Sequence, residues 1–393
     1  MPEILDQIFS VGVQNPTLEV FDIIMKTPHG TSYNAYLVRG DSKAALVETA
    51  KDGFLGDYLK NVEAVMPFDK VDYLIVNHTE PDHAGVIPKL LEKNPGLEII
   101  GTASAINFIG QIINQPFKGR AVKKGDALDL GGRELRFYPM PNLHWPDTMF
   151  TFDTRTRALF TCDFLGAHYS FPDMMVSKVP DTAAYMDAVK QYYLDIMSPF
   201  AQPFVQNGVN AVRELDPSMV LTGHGAVLDA HIRDICDLYE TLAQKPHSGT
   251  KSVAIVYVSA YGYTRALAEA IAGEVRAAGL AAELLELGEK NKAKAFEIID
   301  AADGVLLGTP TFLGDLLQPV GELLAALHPY SLKGKVCSAF GSYGWSGEGV
   351  PNVIGRLEQL KARTVEGYRV RLKPSPEELE GAKAFARGFL SAL

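Results

Sequence analysis

The segment VDYLIVNHTEPDHAG, residues 71–85, places His78, Glu80, Asp82 and His83 within six positions, directly after an apolar run of strand character. Alternate positions beyond a strand end let side chains converge, and Pro81 and Gly85 supply the turn. Three more candidates stand where other apolar runs stop: His144 in MPNLHWPD, Asp163 in LFTCDF and His224 in MVLTGHG. Any one of them alone reads as a cap or a satisfied polar residue. Together, four imidazoles and three carboxylates read as a metal centre. They are too many for one tetrahedral zinc, so two metals sharing a carboxylate bridge follow from the count. Cys162, Cys236 and Cys337 lie far apart and form no C-x-x-C pair, which leaves ligation to His, Asp and Glu. That donor set suits iron, manganese or zinc, and iron if the chemistry is redox.

A second constellation lies downstream. The run SVAIVYV, residues 252–258, is followed by SAYGYTR and then by a helical pattern. Hydroxyls at Ser259 and Thr264, a tight turn at Gly262 between Tyr261 and Tyr263, and the positive end of a helix make a phosphate cradle that needs no lysine. Two further strand ends carry GTPTFLGD (308–315) and GSYGWSGEG (341–349), which offer Pro310, Thr311, Phe312, Leu313 and Gly314 from one and Ser342, Tyr343, Gly344, Trp345 and Gly347 from the other. Aromatic rings there can flank a flat isoalloxazine, and backbone amides can bond its polar edge. No G-x-G-x-x-G follows the first strand, which disfavours a dinucleotide.

The elements that must position these groups differ between the two parts of the chain. After Ser252, apolar runs at 252–258, 282–287, 304–308, 335–340 and 364–370 alternate with helical patterns such as Leu267, Ile271 and Val275, closed by Gly279. Five strands alternating with helices predict a parallel doubly wound sheet. Ser375-Pro376-Glu377-Glu378 marks the start of the last helix. The first part has short paired runs interleaved with helices, predicting two sheets with outer helices. The polar stretch QKPHSGTKS, Gln244 to Ser252, separates them, so we expect domains at 1–247 and 252–393.

The chain has 393 residues, 47% hydrophobic and 21% charged, with a net charge of -10. That balance supports a large core and argues against nucleic acid or an anionic membrane as partner. The N-terminus has no basic region followed by an apolar one, and no apolar run reaches membrane-spanning length, which predicts a cytoplasmic protein.

The pattern H-x-E-x-D-H, followed by separate His, Asp and His, resembles the metallo-β-lactamase-like domain of flavodiiron proteins. The intervals agree: 60 residues between His83 and His144, 18 between His144 and Asp163, and 60 between Asp163 and His224. The three downstream loops look like the flavodoxin module, with Ser259 to Thr264 matching its FMN phosphate loop, so the resemblance covers essentially the whole chain. It implies an α/β fold, with an N-terminal αββα sandwich and a C-terminal flavodoxin-like doubly wound parallel five-stranded sheet. It further implies FMN and two iron ions, with His78, Glu80 and His144 on one iron, Asp82, His83 and His224 on the other, and Asp163 between them. Members of the family differ in whether the imidazole at the position of His83 reaches the metal. Superfamily hydrolases carry His where this chain has Glu80, and an anionic oxygen there stabilises ferric iron.

The activity implied is reduction of dioxygen to water, nitric oxide to nitrous oxide, or both. Electrons are expected from a separate carrier such as rubredoxin. A head-to-tail homodimer, or a tetramer built from it, is expected to pair the FMN of one subunit with the di-iron site of the other. Candidates for a catalytic donor over a bound diatomic are His29, His168 and Tyr193. The competing readings are a dizinc hydrolase with a flavodoxin tail and a non-enzymatic redox module with structural metals.

Overall fold

Tyr36, Val38, Ala45, Val47, Tyr73 and Ile75 alternate along neighbouring strands with Leu37, Leu46 and Leu74, and both sets are buried. Strands apolar on both faces belong inside a layered structure. A computed structural model, describing residues 2–244 and 250–393, shows the layers. The chain divides into two compact units after Gln244. Most of the linker expected over Gln244 to Ser252 lies at 245–249, outside the described residues.

In the N-terminal unit a seven-stranded sheet runs in the order Glu3–Leu5, Ile8–Ser10, Tyr36–Arg39, Ala44–Val47, Tyr73–Ile75, Glu98–Gly101 and Gly119–Ala121. A five-stranded sheet runs Ala127–Asp129, Glu134–Pro139, Met149–Asp153, Ala158–Cys162 and Met219–Thr222. Between them Tyr36, Val38, Val47 and Ile75 meet Leu135, Phe137, Phe160 and Leu221. The outer face of the first sheet packs on Leu55–Glu63, Ile87–Lys93 and Ala103–Ile113. The outer face of the second packs on Thr182–Tyr192, Gln206–Leu215 and Ile232–Ala243. The αββα sandwich expected from the paired runs is what forms.

In the C-terminal unit the strand order is Ala281–Glu286, Ser252–Tyr257, Gly304–Gly308 and Val336–Tyr343, all parallel. Numbered by sequence this is 2-1-3-4, continued by a fifth position, the flavodoxin-like order. The fifth position is not the single strand expected over residues 364–370. It is two segments, Arg363–Thr364 and Tyr368–Arg371, each parallel to Val336–Tyr343. In the gap the register slips by one residue, Cys337 facing Thr364 and Phe340 facing Tyr368, and the Ser338 hydroxyl donates to the Val365 and Glu366 carbonyls. Helices cover both faces. The last, Pro376–Ala392, starts with the expected capping box at Ser375 and Glu378.

Candidate functional site

The predicted metal ligands lie in the segments that connect strand ends. His78 and Glu80 follow Tyr73–Ile75, and Asp82 and His83 occupy the short helix Pro81–Ala84. His144 precedes Met149–Asp153, Asp163 follows Ala158–Cys162, and His224 follows Met219–Thr222. Because strands from both sheets end on one edge of the sandwich, residues far apart in sequence converge. Glu80 Oε2 lies 3.2 Å from His78 Nε2 and 3.1 Å from His144 Nε2. Asp82 Oδ2 lies 3.1 Å from His224 Nε2 and 3.5 Å from His83 Nε2. Asp163 reaches both groups: Oδ1 is 3.1 Å from His83 Nε2, and Oδ2 is 3.4 Å from His78 Nε2. All seven candidates therefore meet, as two trios with Asp163 reaching into both.

The electrostatics fit cations. Burial opposes ionisation of Asp163, yet the His83 charge and bonds from His144 and His83 hold its carboxyl well below the usual range. Burial likewise lowers His83, but Asp82 and Asp163 outweigh it and lift the imidazole to about 10. Oδ1 of Asp82 is buried without a partner among the described residues, and Oδ2 of Asp82 and of Asp163 face only imidazole nitrogens, at 3.1–3.5 Å. Buried carboxylate oxygens without partners are costly unless a metal takes that place.

The imidazoles are aimed from behind. His78 Nδ1 is 3.3 Å from Asp147 Oδ2, which also accepts from the Thr79 amide at 2.7 Å and hydroxyl at 2.8 Å. His224 Nδ1 donates to the Ser32 carbonyl at 2.6 Å, leaving Nε2 for the cluster. The His224 loop turns at Gly225, whose φ is +82° and where a Cβ would sit 2.6 Å from the Ala167 carbonyl oxygen. Only glycine fits there.

Of the three expected donors, His168 is beside the cluster, its ring 5.3 Å from His224 and its Nδ1 2.9 Å from the Thr31 hydroxyl. Burial and the neighbouring His224 lower its pKa to about 3, so it is neutral. His29 stacks on Tyr169 and, with His168, Tyr192, Lys26, Gln191 and Asp195, lines a cavity of about 300 Å³. The place expected for Tyr193 belongs to Tyr192. Tyr193 packs against Tyr239, while the Tyr192 hydroxyl donates to Asp163 Oδ1 at 3.0 Å. Adjacent helical residues point about 100° apart, so one register step exchanges core for site. Sequence reasoning also missed Asp147 and Trp145, whose ring meets His78 edge-on at 5.1 Å. Both stand in the same HWPD run as His144, the signal that could have found them.

In the C-terminal unit a cavity of about 270 Å³ is lined by Ser259, Tyr261, Tyr263, Thr264, Pro310, Thr311, Phe312, Leu313, Ser342, Tyr343, Gly344 and Trp345, with Ala260 and Leu372 added. Gly262, φ +81°, caps the helix Tyr263–Ala277 at its mouth. The buried Thr264 hydroxyl lies 3.1 Å from that of Ser342, tying two of the loops together. Gly314 and Gly347 turn the other loops at φ +77° and +89°. Trp345 is 80% and Leu313 90% exposed. A helix N-terminus beside an apolar slot rimmed by uncovered aromatics fits a phosphate joined to a flat ring.

The folds and sites together define a protein that couples a flavin to a two-metal centre. The ODP family beta lactamase model matches residues 31–225 and the flavodoxin model residues 255–385. Flavo-diiron protein FprA2 of Clostridium acetobutylicum is 39% identical over 398 residues, covering 100% of this chain and 99% of that protein. Type A flavoprotein fprA of Rhodobacter capsulatus is 38% identical over 386 residues, covering 96% and 88%. The structure of rubredoxin oxygen:oxidoreductase from Desulfovibrio gigas aligns with a TM-score of 0.74 at 27% identity, covering 100% of this chain and 98% of that one. That of the flavodiiron protein from Giardia intestinalis shares the fold, with a TM-score of 0.70 at 24% identity and coverage of 99% and 96%. The chain belongs to the flavodiiron proteins. It is an oxidoreductase whose cofactors are FMN and a non-haem di-iron centre.

Proposed function

We propose that this protein reduces dioxygen to water, nitric oxide to nitrous oxide, or both, with electrons from a separate carrier such as rubredoxin. The observation that carries the reading is Asp163, one carboxylate with an oxygen toward each of two ligand trios. His78, Glu80 and His144 would hold one iron, Asp82, His83 and His224 the other. Glu80 puts an anionic oxygen between two imidazoles, which suits ferric iron better than zinc. The FMN would lie in the slot between Tyr261, Phe312 and Trp345, its phosphate at the start of Tyr263–Ala277. When bound, these groups supply electron storage and two adjacent redox-active Lewis acids.

The chain's own residues do the rest. Asp147 and the Ser32 carbonyl hold His78 and His224 with Nε2 forward. Tyr192 holds Asp163 through Oδ1. His168, neutral and buried, and His29 beside it border the cavity from which a diatomic and protons would approach.

We place the domains at residues 1–247 and 252–393 and the protein in the cytoplasm. Among the described residues no helix is long and apolar enough to cross a membrane. We also propose a head-to-tail homodimer, alone or paired into a tetramer, in which the FMN of one subunit serves the irons of the other. The exposed rim at Leu313 and Trp345 supports it, as does Ile23, 94% exposed, two residues from Phe21, which packs on His224. The test is iron and FMN quantitation, then anaerobic turnover of the reduced protein with dioxygen and with nitric oxide under one donor. Zinc without flavin, or failure to consume either gas, overturns the reading.

A further inference from the structure

The two trios are matched in ligand type. Each has two imidazoles and one carboxylate, and Asp163 reaches both, through Oδ2 to His78 and His144 and through Oδ1 to His83 and His224. What stands behind them is not matched. On the first side, His78 Nδ1 faces the buried carboxylate of Asp147 at 3.3 Å. An anion behind an imidazole makes it a stronger donor and stabilises the more oxidised metal. On the second side, His224 Nδ1 faces a neutral carbonyl, that of Ser32, at 2.6 Å. Glu48 has a ligand atom within 4.8 Å of one of His83, but its Oε1 accepts from the Asn77 amide at 2.8 Å. Neither its Oε2 nor His83 Nδ1 has a hydrogen-bond partner among the described residues, so no hydrogen-bonded anion backs that ring.

The shared carboxylate is divided in the same sense. Tyr192 donates at 3.0 Å to Oδ1, the oxygen 3.1 Å from His83 and 3.4 Å from His224. Oδ2 faces only the ligand imidazoles, 3.4 Å from His78 and 3.5 Å from His144, and no hydroxyl or amide among the described residues donates to it. A hydrogen bond to a ligand atom draws electron density from the metal bound there and favours its reduced form. Both asymmetries act in one direction.

We infer that Tyr192, through Asp163, and Asp147, through His78, make the two iron positions unequal, so that the iron held by Asp82, His83 and His224 takes the first electron. The inference rests on the di-iron reading above. Tyr192 and Asp147 are positioning residues in it: neither touches iron, and each sets what one position receives from its ligand.

The test is a stepwise anaerobic reduction of the full-length protein with dithionite, the iron followed by Mössbauer spectroscopy so that flavin absorbance does not interfere. Wild type should take up electrons at iron in two resolved steps, with a mixed-valent form abundant at half reduction. Tyr192→Phe keeps the ring and removes the donor. It should move the first step to lower potential, leave the second nearly in place, and cut the comproportionation constant about tenfold. Asp147→Asn should instead raise the second step and narrow the gap from the other side.

Two irons per chain with coincident steps in wild type would overturn the inference even if neither variant folds. So would a Tyr192→Phe variant in which the second step moves, because the assignment of sides would be reversed. A wild-type chain without two irons would fail the di-iron reading instead, so the two failures are distinguishable.

Discussion

Asp147 lies directly behind His78, its Oδ2 3.3 Å from Nδ1, while Nε2 of the same ring faces Glu80 and Asp163. The pair fixes the ring's orientation and leaves one nitrogen for a metal. Asp147→Asn keeps the shape and an oxygen for the Thr79 amide but loses the charge. Iron affinity should fall about 10–100-fold, read as faster loss to a chelator at unchanged FMN content. Chelator kinetics equal to wild type would remove the role.

Asp163 faces both trios, so Asp163→Asn should strip one or both irons, because an amide has only one oxygen to offer. The residues proposed to hold the flavin lie in the other unit, so FMN should remain near its wild-type content. Full iron content together with wild-type turnover would refute the bridging role.

Thr264 and Ser342 join two of the loops around the proposed flavin slot by a 3.1 Å contact between hydroxyls. Thr264→Ala breaks that tie at the phosphate end, and FMN affinity should drop about tenfold while iron is untouched. Equilibrium dialysis of both proteins against free FMN decides it, and equal affinities would misplace the phosphate.

His168 carries a pH signature. The fold keeps it neutral, with a pKa lowered from 6.5 to about 3 by burial and by His224, whereas the unfolded chain protonates it normally. Its neutral form stabilises the fold fully above about pH 6.5, and that contribution drains away as pH falls toward 3. Between pH 7 and 5 wild type should lose about 1–2 kcal/mol more than His168→Gln, seen as a larger fall in denaturant midpoint. Parallel pH profiles would contradict the buried neutral state.

Gly225 tests the loop that delivers His224. Its φ is +82°, and a Cβ on this residue would lie 2.6 Å from the Ala167 carbonyl oxygen. Gly225→Ala should therefore cost more than about 1 kcal/mol and lower iron retention at the Asp82 side. A thermal midpoint within a degree of wild type would show that the turn relaxes.

Much of the site was legible in the residues because its signals are local. His78, Asp163 and His224 stand just past apolar strands, Glu80, Asp82 and His83 follow within five residues of His78, and His144 lies in the loop between two strands, where side chains leave the ladder to meet others. The loops that line the C-terminal cavity were legible for the same reason: Ser259 to Thr264 joins a strand to a helix whose amides are free by construction. Tertiary structure decided what depends on rotation and on which strands become neighbours. Tyr192 rather than Tyr193 reaches Asp163 because a helix turns about 100° per residue, and periodicity in an aromatic pair does not say which ring faces inward. The fifth strand of the C-terminal unit breaks where its register against the adjacent strand slips by one residue, and the Ser338 hydroxyl of that strand bonds the carbonyls in the gap. Asp147 stands behind His78 across 69 positions of sequence, and a contact of that separation exists only once both sheets have closed on each other.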